Sequence, residues 1–164
     1  MNFDKLEFLS AELGELLFER KLFFTSAESC TGGWVGQSVT GVPGSSRWYG
    51  AGFITYSNIA KMNILGVKKE TLNNFGAVSE EVVKEMVKGA LNKSGAQIGV
   101  AISGIAGPGG GSEQRPVGTV CIAWLLEGKE IVSSTEHFLG NRNEVRWASV
   151  ECALVHSIRL IKEN

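Results

Sequence analysis

The sequence predicts an α/β protein: a single layered α/β/α domain over residues 1–164, with a mixed, partly antiparallel sheet. Helical and strand-like segments alternate early in the chain, an order typical of parallel strands covered by helices. Near the C-terminus, apolar segments at 117–126 and 131–138 flank a polar turn, which predicts an antiparallel hairpin. Of the 164 residues, 43% are hydrophobic and 20% charged, which is sufficient for one buried core.

The elements of the N-terminal half follow from local patterns. Residues 4–20 carry leucines at helical spacing with charged residues between them, which predicts an amphipathic helix. Leu22–Thr25 is a short apolar segment that predicts a strand, and a turn and a helix are expected just after it. The next predicted strand covers 49–56, and a short helix follows that begins near Asn58 and ends at Gly66.

The C-terminal half is equally well marked. Ser79 and the two glutamates after it predict a helix start, and Gly95 follows the end of that helix. The apolar run Ile98–Ser103 is typical of a buried strand, and it leads into a glycine-rich loop. After the hairpin, residues 143–161 show the apolar spacing of a final amphipathic helix.

Composition and charge exclude several classes of function. A net charge of −1 leaves no basic footprint for nucleic acid or for an anionic membrane. No apolar run reaches the roughly 18 to 20 residues of a spanning helix, and the acidic N-terminal segment Met1–Glu7 is unlike a signal peptide. The cysteines are too few and too scattered for a disulfide framework or a zinc site: Cys30, Cys121 and Cys152. A cytoplasmic protein with reduced thiols is expected.

The segment Ser26–Gly33 has the composition of a strand-to-helix turn that carries a reactive serine, Ser29. Small hydroxyl residues and glycines there free backbone N–H groups at a helix N-terminus, where the dipole favours an anion or a developing oxyanion. A serine at this position is also a common N-cap, with no chemical role. Both interpretations fit the segment alone.

A second glycine cluster at 104–111 follows a strand, the place where α/β sheets usually hold ligands. It is neither a Walker loop nor a Rossmann fingerprint, since it lacks the required spacing and the following residues. The loop either holds an anion or is merely flexible. Three nearby arginines are candidates for added positive charge, although each is more often a solvated surface residue: Arg115, Arg142 and Arg146.

Lysine is the best candidate for a base. His137 and His156 are the only histidines, and neither has the partners of a metal site or of a Ser-His-Asp triad. A lysine in a partly dry, electropositive site loses its charge more readily and can accept a serine proton. Lys61 follows Tyr56 by five positions, so the phenol is placed to bond the amine and to orient the proton. Lys61 as a solvated helix residue is the alternative.

An ordered set of motifs extends along most of the chain: Ala27–Gly33, Gly44–Ser46, Gly52–Asn58 with Lys61, Gly76–Ser79, Ser103–Pro108 and Pro116–Val120. Together they resemble the nicotinamide-nucleotide amidohydrolase family (PncC), which is equivalent to the C-terminal domain of the competence-damage-inducible protein CinA. The resemblance implies hydrolysis of the carboxamide of nicotinamide mononucleotide (NMN) to nicotinate mononucleotide and ammonia. It also implies a cytoplasmic homodimer that needs no metal and no cofactor.

The resemblance places the nucleophile at Ser29, the lysine at Lys61 and the tyrosine at Tyr56, with Ser103 and Arg142 expected to touch the substrate. In the resulting amidase hypothesis, an acyl-enzyme forms on the serine and water hydrolyses it. The remaining substrate-binding candidates fall into two groups. The oxyanion is expected to bind backbone N–H groups near Thr31, Gly32 and Gly33. The 5′-phosphate is expected to bind Arg142 together with the glycine loop, which includes Gly107, Gly109 and Gly110.

Several alternatives also fit the sequence. Ser46 competes with Ser29 as the nucleophile and is also a candidate for substrate contact. If Lys61 is only an electrostatic anchor, the base would be Tyr56 or Glu28. The whole chain is alternatively a catalytically silent nucleotide-binding or regulatory relative, or an interaction protein of a DNA-uptake system. The intact serine, tyrosine and lysine favour the enzyme, and the near-neutral charge disfavours the last alternative.

Overall fold

The computed structural model describes residues 3–164, so residues 1 and 2 of the acidic N-terminal segment lie outside the described part. Five strands form one mixed sheet in the order β2-β1-β3-β4-β5. β1 is parallel to β2 and to β3, whereas β4 is antiparallel to both of its neighbours. The strands are β1 Phe24–Glu28, β2 Tyr49–Ile54, β3 Ile98–Gly104, β4 Thr119–Leu126 and β5 Val132–His137. This confirms the predicted mixed, partly antiparallel sheet.

Helices cover both faces of the sheet, each over its own apolar cluster. One face packs against α1, α2 and α6, and the other packs against α3, α4 and α5. The helices are α1 Phe3–Arg20, α2 Trp34–Thr40, α3 Asn58–Leu65, α4 Lys69–Phe75, α5 Glu80–Ser94 and α6 Arg142–Lys162, with a 3-10 turn at Ser45–Arg47. Since β1, β2 and β3 are parallel, they end at the same edge of the sheet, which we name the carboxyl edge.

Helix boundaries agree closely with the sequence patterns where a cap is present. The Ser57 side chain accepts from the N–H of Ala60 at the start of α3, and Gly66 ends that helix with a left-handed φ of 72°. Ser79 caps α5 in the same way, with Gly95 at its end. Caps carry boundary information in the sequence because only certain residues satisfy the free backbone groups there.

Two elements differ from the sequence-based expectation. β1 begins two residues later than expected and extends to Glu28, because this carboxylate is buried and does not mark the end of the strand. Helix α4 was not predicted, since it buries only Leu72 and therefore lacks an apolar periodicity. The shift of β1 matters for the site, because it places Ser29 immediately after the strand.

Candidate active site

Ser29 lies in a tight turn at the carboxyl edge, directly after β1. Its backbone N–H donates to the carbonyl of Ile102 at 3.0 Å, which continues the pairing of β1 with β3. Its carbonyl accepts the N–H of Gly32 at 3.1 Å, which closes the turn. The serine side chain is thus held by backbone contacts on both sides, a fixed position suited to a nucleophile.

Lys61 reaches this serine from α3. Its Nζ lies 3.0 Å from the Oγ of Ser29 and donates to the carbonyl of Thr55 at 2.8 Å. The lysine is only 1% exposed, and no ion pair with a carboxylate forms at it within residues 3–164. Burial lowers the pKa of Lys61 below its usual range, because the charged form loses its hydration. The alternative of a solvated helix residue is therefore wrong, and the pair has the geometry of a nucleophile and its base.

Glu28 is a buried carboxylate that caps α2. Its Oε2 accepts from the Thr31 hydroxyl at 2.7 Å and from the N–H groups of Gly33 at 3.0 Å and Val35 at 3.1 Å. Its Oε1 accepts from the N–H of Gly36 at 3.0 Å. A carboxylate at a helix N-terminus is favoured by the dipole and by these donors. Because both oxygens are already in use on α2, Glu28 is a structural anchor and not a candidate base for Ser29.

The backbone contacts of this turn correct the expectation that Thr31, Gly32 and Gly33 all donate to an oxyanion. The N–H of Gly33 bonds Glu28 and that of Gly32 bonds the Ser29 carbonyl, so neither is free for a ligand. Within the described chain, the N–H of Thr31 has no acceptor. Of the expected backbone donors, only Thr31 remains available.

Arg142 and Tyr56 contact each other at the same carboxyl edge. Arg142 Nη1 donates to the carbonyl of Gly107 at 2.8 Å, and its Nη2 donates to the Tyr56 hydroxyl at 3.1 Å. The phenol therefore contacts the arginine and not Lys61, contrary to the expected contact between tyrosine and lysine. Asn141 caps α6 in a capping box with Glu144, and this fixes the helix start beside the loop.

The glycine loop and the end of β3 occupy the same edge. Gly107 has a left-handed φ of 83°, and its carbonyl is the one that Arg142 holds. Gly109 and Gly110 are exposed in the loop beyond it. The Ser103 hydroxyl donates to the carbonyl of Ala77 at 2.7 Å, so in this structure it ties the segment before α5 to the sheet.

Ser46 does not join this cluster within one chain. It is exposed in the 3-10 turn Ser45–Arg47, which precedes β2. Since β2 runs parallel to β1, Ser46 lies at the opposite edge of the sheet from Ser29, about 20 Å away for a six-residue strand. The sequence alone allows Ser46 to lie near Ser29, because a motif does not show in which direction the neighbouring strand runs.

Arg146 contacts the Ser29 turn from the first turns of α6, a role that the sequence analysis missed. Its Nε donates to the carbonyl of Cys30 at 3.0 Å, and its Nη2 donates to the carbonyl of Thr31 at 2.9 Å. The guanidinium lies 5.2 Å from the ring centroid of Trp34, a cation–π contact. The available signal was the spacing of four from Arg142, which places both arginines on one face of a helix.

Among residues 3–164, no group of three His, Cys, Asp or Glu side chains is arranged to hold a metal ion. His156 stacks on Trp124 with ring centroids 4.8 Å apart, so it belongs to the packing of α6. Within the same range, no helix has the length and apolar character needed to cross a membrane.

Comparison with known proteins gives consistent matches. The family model of the CinA C-terminal domain matches residues 6–161. The chain is 50% identical over 146 residues to nicotinamide-nucleotide amidohydrolase PncC of Escherichia coli (strain K12), covering 89% of this chain and 88% of that protein. A relative from Symbiobacterium thermophilum, whose name refers to competence-damage induction, is 46% identical over 164 residues, which cover 95% of this chain but only 38% of that longer protein.

The fold is also found among solved structures. The crystal structure of competence/damage inducible protein CihA from Agrobacterium tumefaciens has a TM-score of 0.93 to this chain at 40% identity, and 95% of each chain is covered. The resemblance drawn from the ordered motifs is confirmed by these matches, as is the α/β fold.

Proposed function

This chain belongs to the CinA C-terminal domain family, and from that premise we propose that it deamidates NMN with Ser29 as the nucleophile and Lys61 as its base. The relative from Escherichia coli that is 50% identical to this chain is a nicotinamide-nucleotide amidohydrolase, and this chain is an enzyme of that class. One observation carries the assignment of residues, namely the 3.0 Å contact between the Lys61 Nζ and the Ser29 Oγ.

In the proposed reaction, Ser29 Oγ attacks the carboxamide carbon while its proton passes to the neutral Lys61 amine. The tetrahedral intermediate collapses when the C–N bond breaks, and the leaving nitrogen takes a proton from the Lys61 ammonium and departs as ammonia. The acyl-enzyme is then attacked by water, which the neutral lysine deprotonates. Nicotinate mononucleotide leaves, and Ser29 recovers its proton.

The backbone N–H of Thr31 is proposed as the donor to the oxyanion. It comes two residues after the nucleophile, it is not consumed by the turn, and it lies near the N-terminus of α2. A donor aimed in advance at developing charge stabilises the transition state more than the ground state. The thiol of Cys30 is not proposed for chemistry, because burial raises its pKa to about 11.

The 5′-phosphate is proposed to bind Arg142 and the loop at 104–111. Arg142 is exposed at the start of α6 and already holds the carbonyl of Gly107. Its second contact, the Tyr56 hydroxyl, belongs to a side chain that is 62% exposed. This position supports a role for Tyr56 beside the bound nucleotide, with proton transfer left to Lys61.

The test is an assay of ammonia release from NMN by the purified chain, with product identification by chromatography. The expected result is stoichiometric ammonia and nicotinate mononucleotide, with loss of both in Ser29→Ala. Binding of NMN without ammonia release would instead identify a silent nucleotide-binding relative and reject the proposed reaction.

We further propose that the chain works in the cytoplasm as a homodimer, as the resemblance implies. The three cysteines are free, which suits a reducing compartment. β2 is an edge strand, and Ile54 at its end and Ile59 just after it are 57% and 65% exposed, a surface suited to self-association. Light scattering on a sizing column tests this, and a mass equal to one 17.6 kDa chain would refute the dimer.

A further inference from the structure

Arg146 holds both peptide groups that flank Thr31. One carbonyl, of Cys30, belongs to the peptide before Thr31, and the other, of Thr31 itself, belongs to the peptide after it. The two contacts come from different nitrogens of one planar guanidinium, so the relative orientation of the two carbonyls is fixed. The cation–π contact with Trp34 holds the guanidinium in place from a third direction.

The orientation of a carbonyl determines the orientation of the next N–H. In a trans peptide the C=O and the following N–H point in opposite directions, so the N–H of Thr31 points away from Arg146. It is this N–H that has no acceptor in the described chain. A cation on the carbonyl oxygen also polarises the peptide and strengthens its N–H as a donor.

The charge of Arg146 acts at the same place. No carboxylate forms an ion pair with its guanidinium within residues 3–164. The nearest acid in the turn, Glu28, is instead engaged with the Thr31 hydroxyl and with α2. A positive charge behind the turn favours negative charge that develops on the other side of it.

We propose that Arg146 is a positioning residue of this enzyme: it orients and polarises the Cys30–Thr31 peptide so that the N–H of Thr31 receives the oxyanion formed on attack by Ser29. The inference rests on the proposed function only in taking Ser29 as the nucleophile. It requires neither NMN nor a phosphate as the ligand.

The experiment follows Ser29 directly, with a fluorophosphonate probe and mass spectrometry of the labelled peptide. In this step a bond forms between Ser29 Oγ and phosphorus, the P–F bond breaks, fluoride leaves, and the serine proton passes to Lys61. The labelling rate of Arg146→Ala is expected to fall about 10- to 100-fold, somewhat less than for loss of an oxyanion donor itself. The kcat for NMN is expected to fall in parallel, with KM within about 3-fold, since ground-state binding is untouched.

Two further variants separate positioning from simple stability. Arg146→Lys keeps a cation but cannot bridge two carbonyls, so we expect an intermediate labelling rate. Added guanidinium ion should partly restore Arg146→Ala, a rescue that a general loss of packing would not show. Arg159→Ala is the matched control on the same helix, because Arg159 is exposed and pairs with Glu163.

The outcomes of this inference and of the proposed function are distinguishable. If wild type labels at Ser29 but releases no ammonia from NMN, while Arg146→Ala labels slowly, the proposed substrate is rejected and the positioning role stands. If Arg146→Ala labels and turns over NMN within about 3-fold of wild type, the positioning role is rejected and the function stands. Failure of wild type to label at Ser29 overturns the inference.

Discussion

Glu28 and Ser29 are consecutive residues whose side chains serve opposite faces of the sheet. The Glu28 carboxylate caps α2 on the face covered by α1, α2 and α6. The Ser29 hydroxyl meets Lys61 of α3, which packs on the other face. Alternation of side chains at the end of a strand produces this separation. As a result, the buried acid does not pair with the lysine beside the serine, and burial is the main influence that lowers the pKa of Lys61.

Ser29→Ala should stay folded and lose NMN deamidation by at least about 10³-fold, because removing the nucleophile removes the covalent route. Steady-state ammonia release measures the effect, and circular dichroism checks the fold. Ser46→Ala is the matched control and should remain near wild type, because Ser46 lies at the other edge of the sheet. Normal turnover in Ser29→Ala together with loss of turnover in Ser46→Ala would identify Ser46 as the nucleophile in place of Ser29.

The rate should rise with pH and then reach a plateau. Since burial lowers the pKa of Lys61, the neutral, proton-accepting amine increases as pH rises through that lowered pKa. Lys61→Arg keeps the charge but cannot deprotonate, so it should be as inactive as Lys61→Ala. The pH dependence of kcat/KM measures this ionisation. Substantial activity in Lys61→Arg would show that the cation is only an anchor.

Arg142→Ala should discriminate between substrates with and without a phosphate. We expect kcat/KM for NMN to fall about 10- to 100-fold, the value of a charge-assisted hydrogen bond, with little change for nicotinamide riboside. The two substrates differ only in the 5′-phosphate, so their ratio isolates the contact. An equal loss for both substrates would show that Arg142 positions Tyr56 or the loop and does not bind the phosphate.

Glu28→Gln should destabilise the protein by about 2 kcal/mol, because an amide cannot accept from all of the donors at the start of α2. Urea unfolding measures the loss, and activity should fall with it as the Ser29 turn loosens. Glu163→Gln, at an exposed ion pair, is expected to change stability by less than about 0.5 kcal/mol. A fully stable Glu28→Gln protein would contradict the anchor role.

Gly89→Ala should disturb Lys61 from a distance. A Cβ at position 89 of α5 would collide with the backbone carbonyl of Leu65 at the end of α3. Overpacking of this kind lowers the free energy of unfolding by about 1–3 kcal/mol. Here it would also displace α3, the helix that carries Lys61. We expect both lower stability and lower kcat. Lys88→Ala, on the exposed side of α5, is the control. If Lys88→Ala lowers stability and kcat as much as Gly89→Ala does, the close approach of Gly89 to Leu65 is not the cause of the loss.

The sequence was informative where a residue's role depends on its neighbours in the chain. Ser57, Gly66 and Ser79 marked helix ends because capping is local, and the Ser29 segment indicated a strand-to-helix turn for the same reason. The pairing of Ser29 with Lys61 was reached through the absence of other bases and through the family motifs.

The remaining parts of the site depend on contacts between distant residues. Arg146 contacts the carbonyls of Cys30 and Thr31, which precede it in the sequence by 116 and 115 residues. The Tyr56 hydroxyl is paired with Arg142 across 86 positions. Backbone carbonyls are acceptors in every residue, so no sequence pattern shows which of them an arginine will bind. For the same reason the occupied N–H groups of Gly32 and Gly33 could not be recognised in advance.

The order of these parts along the chain has a consequence for synthesis. The proposed nucleophile and base, Ser29 and Lys61, are both present once residue 61 has been made, but the Ser29 turn is held by Arg146 of α6. A nascent chain that has not yet docked α6 therefore carries a serine without its restraint and without Arg142. We therefore expect Ser29 to be fully presented for amide hydrolysis only after α6 has docked.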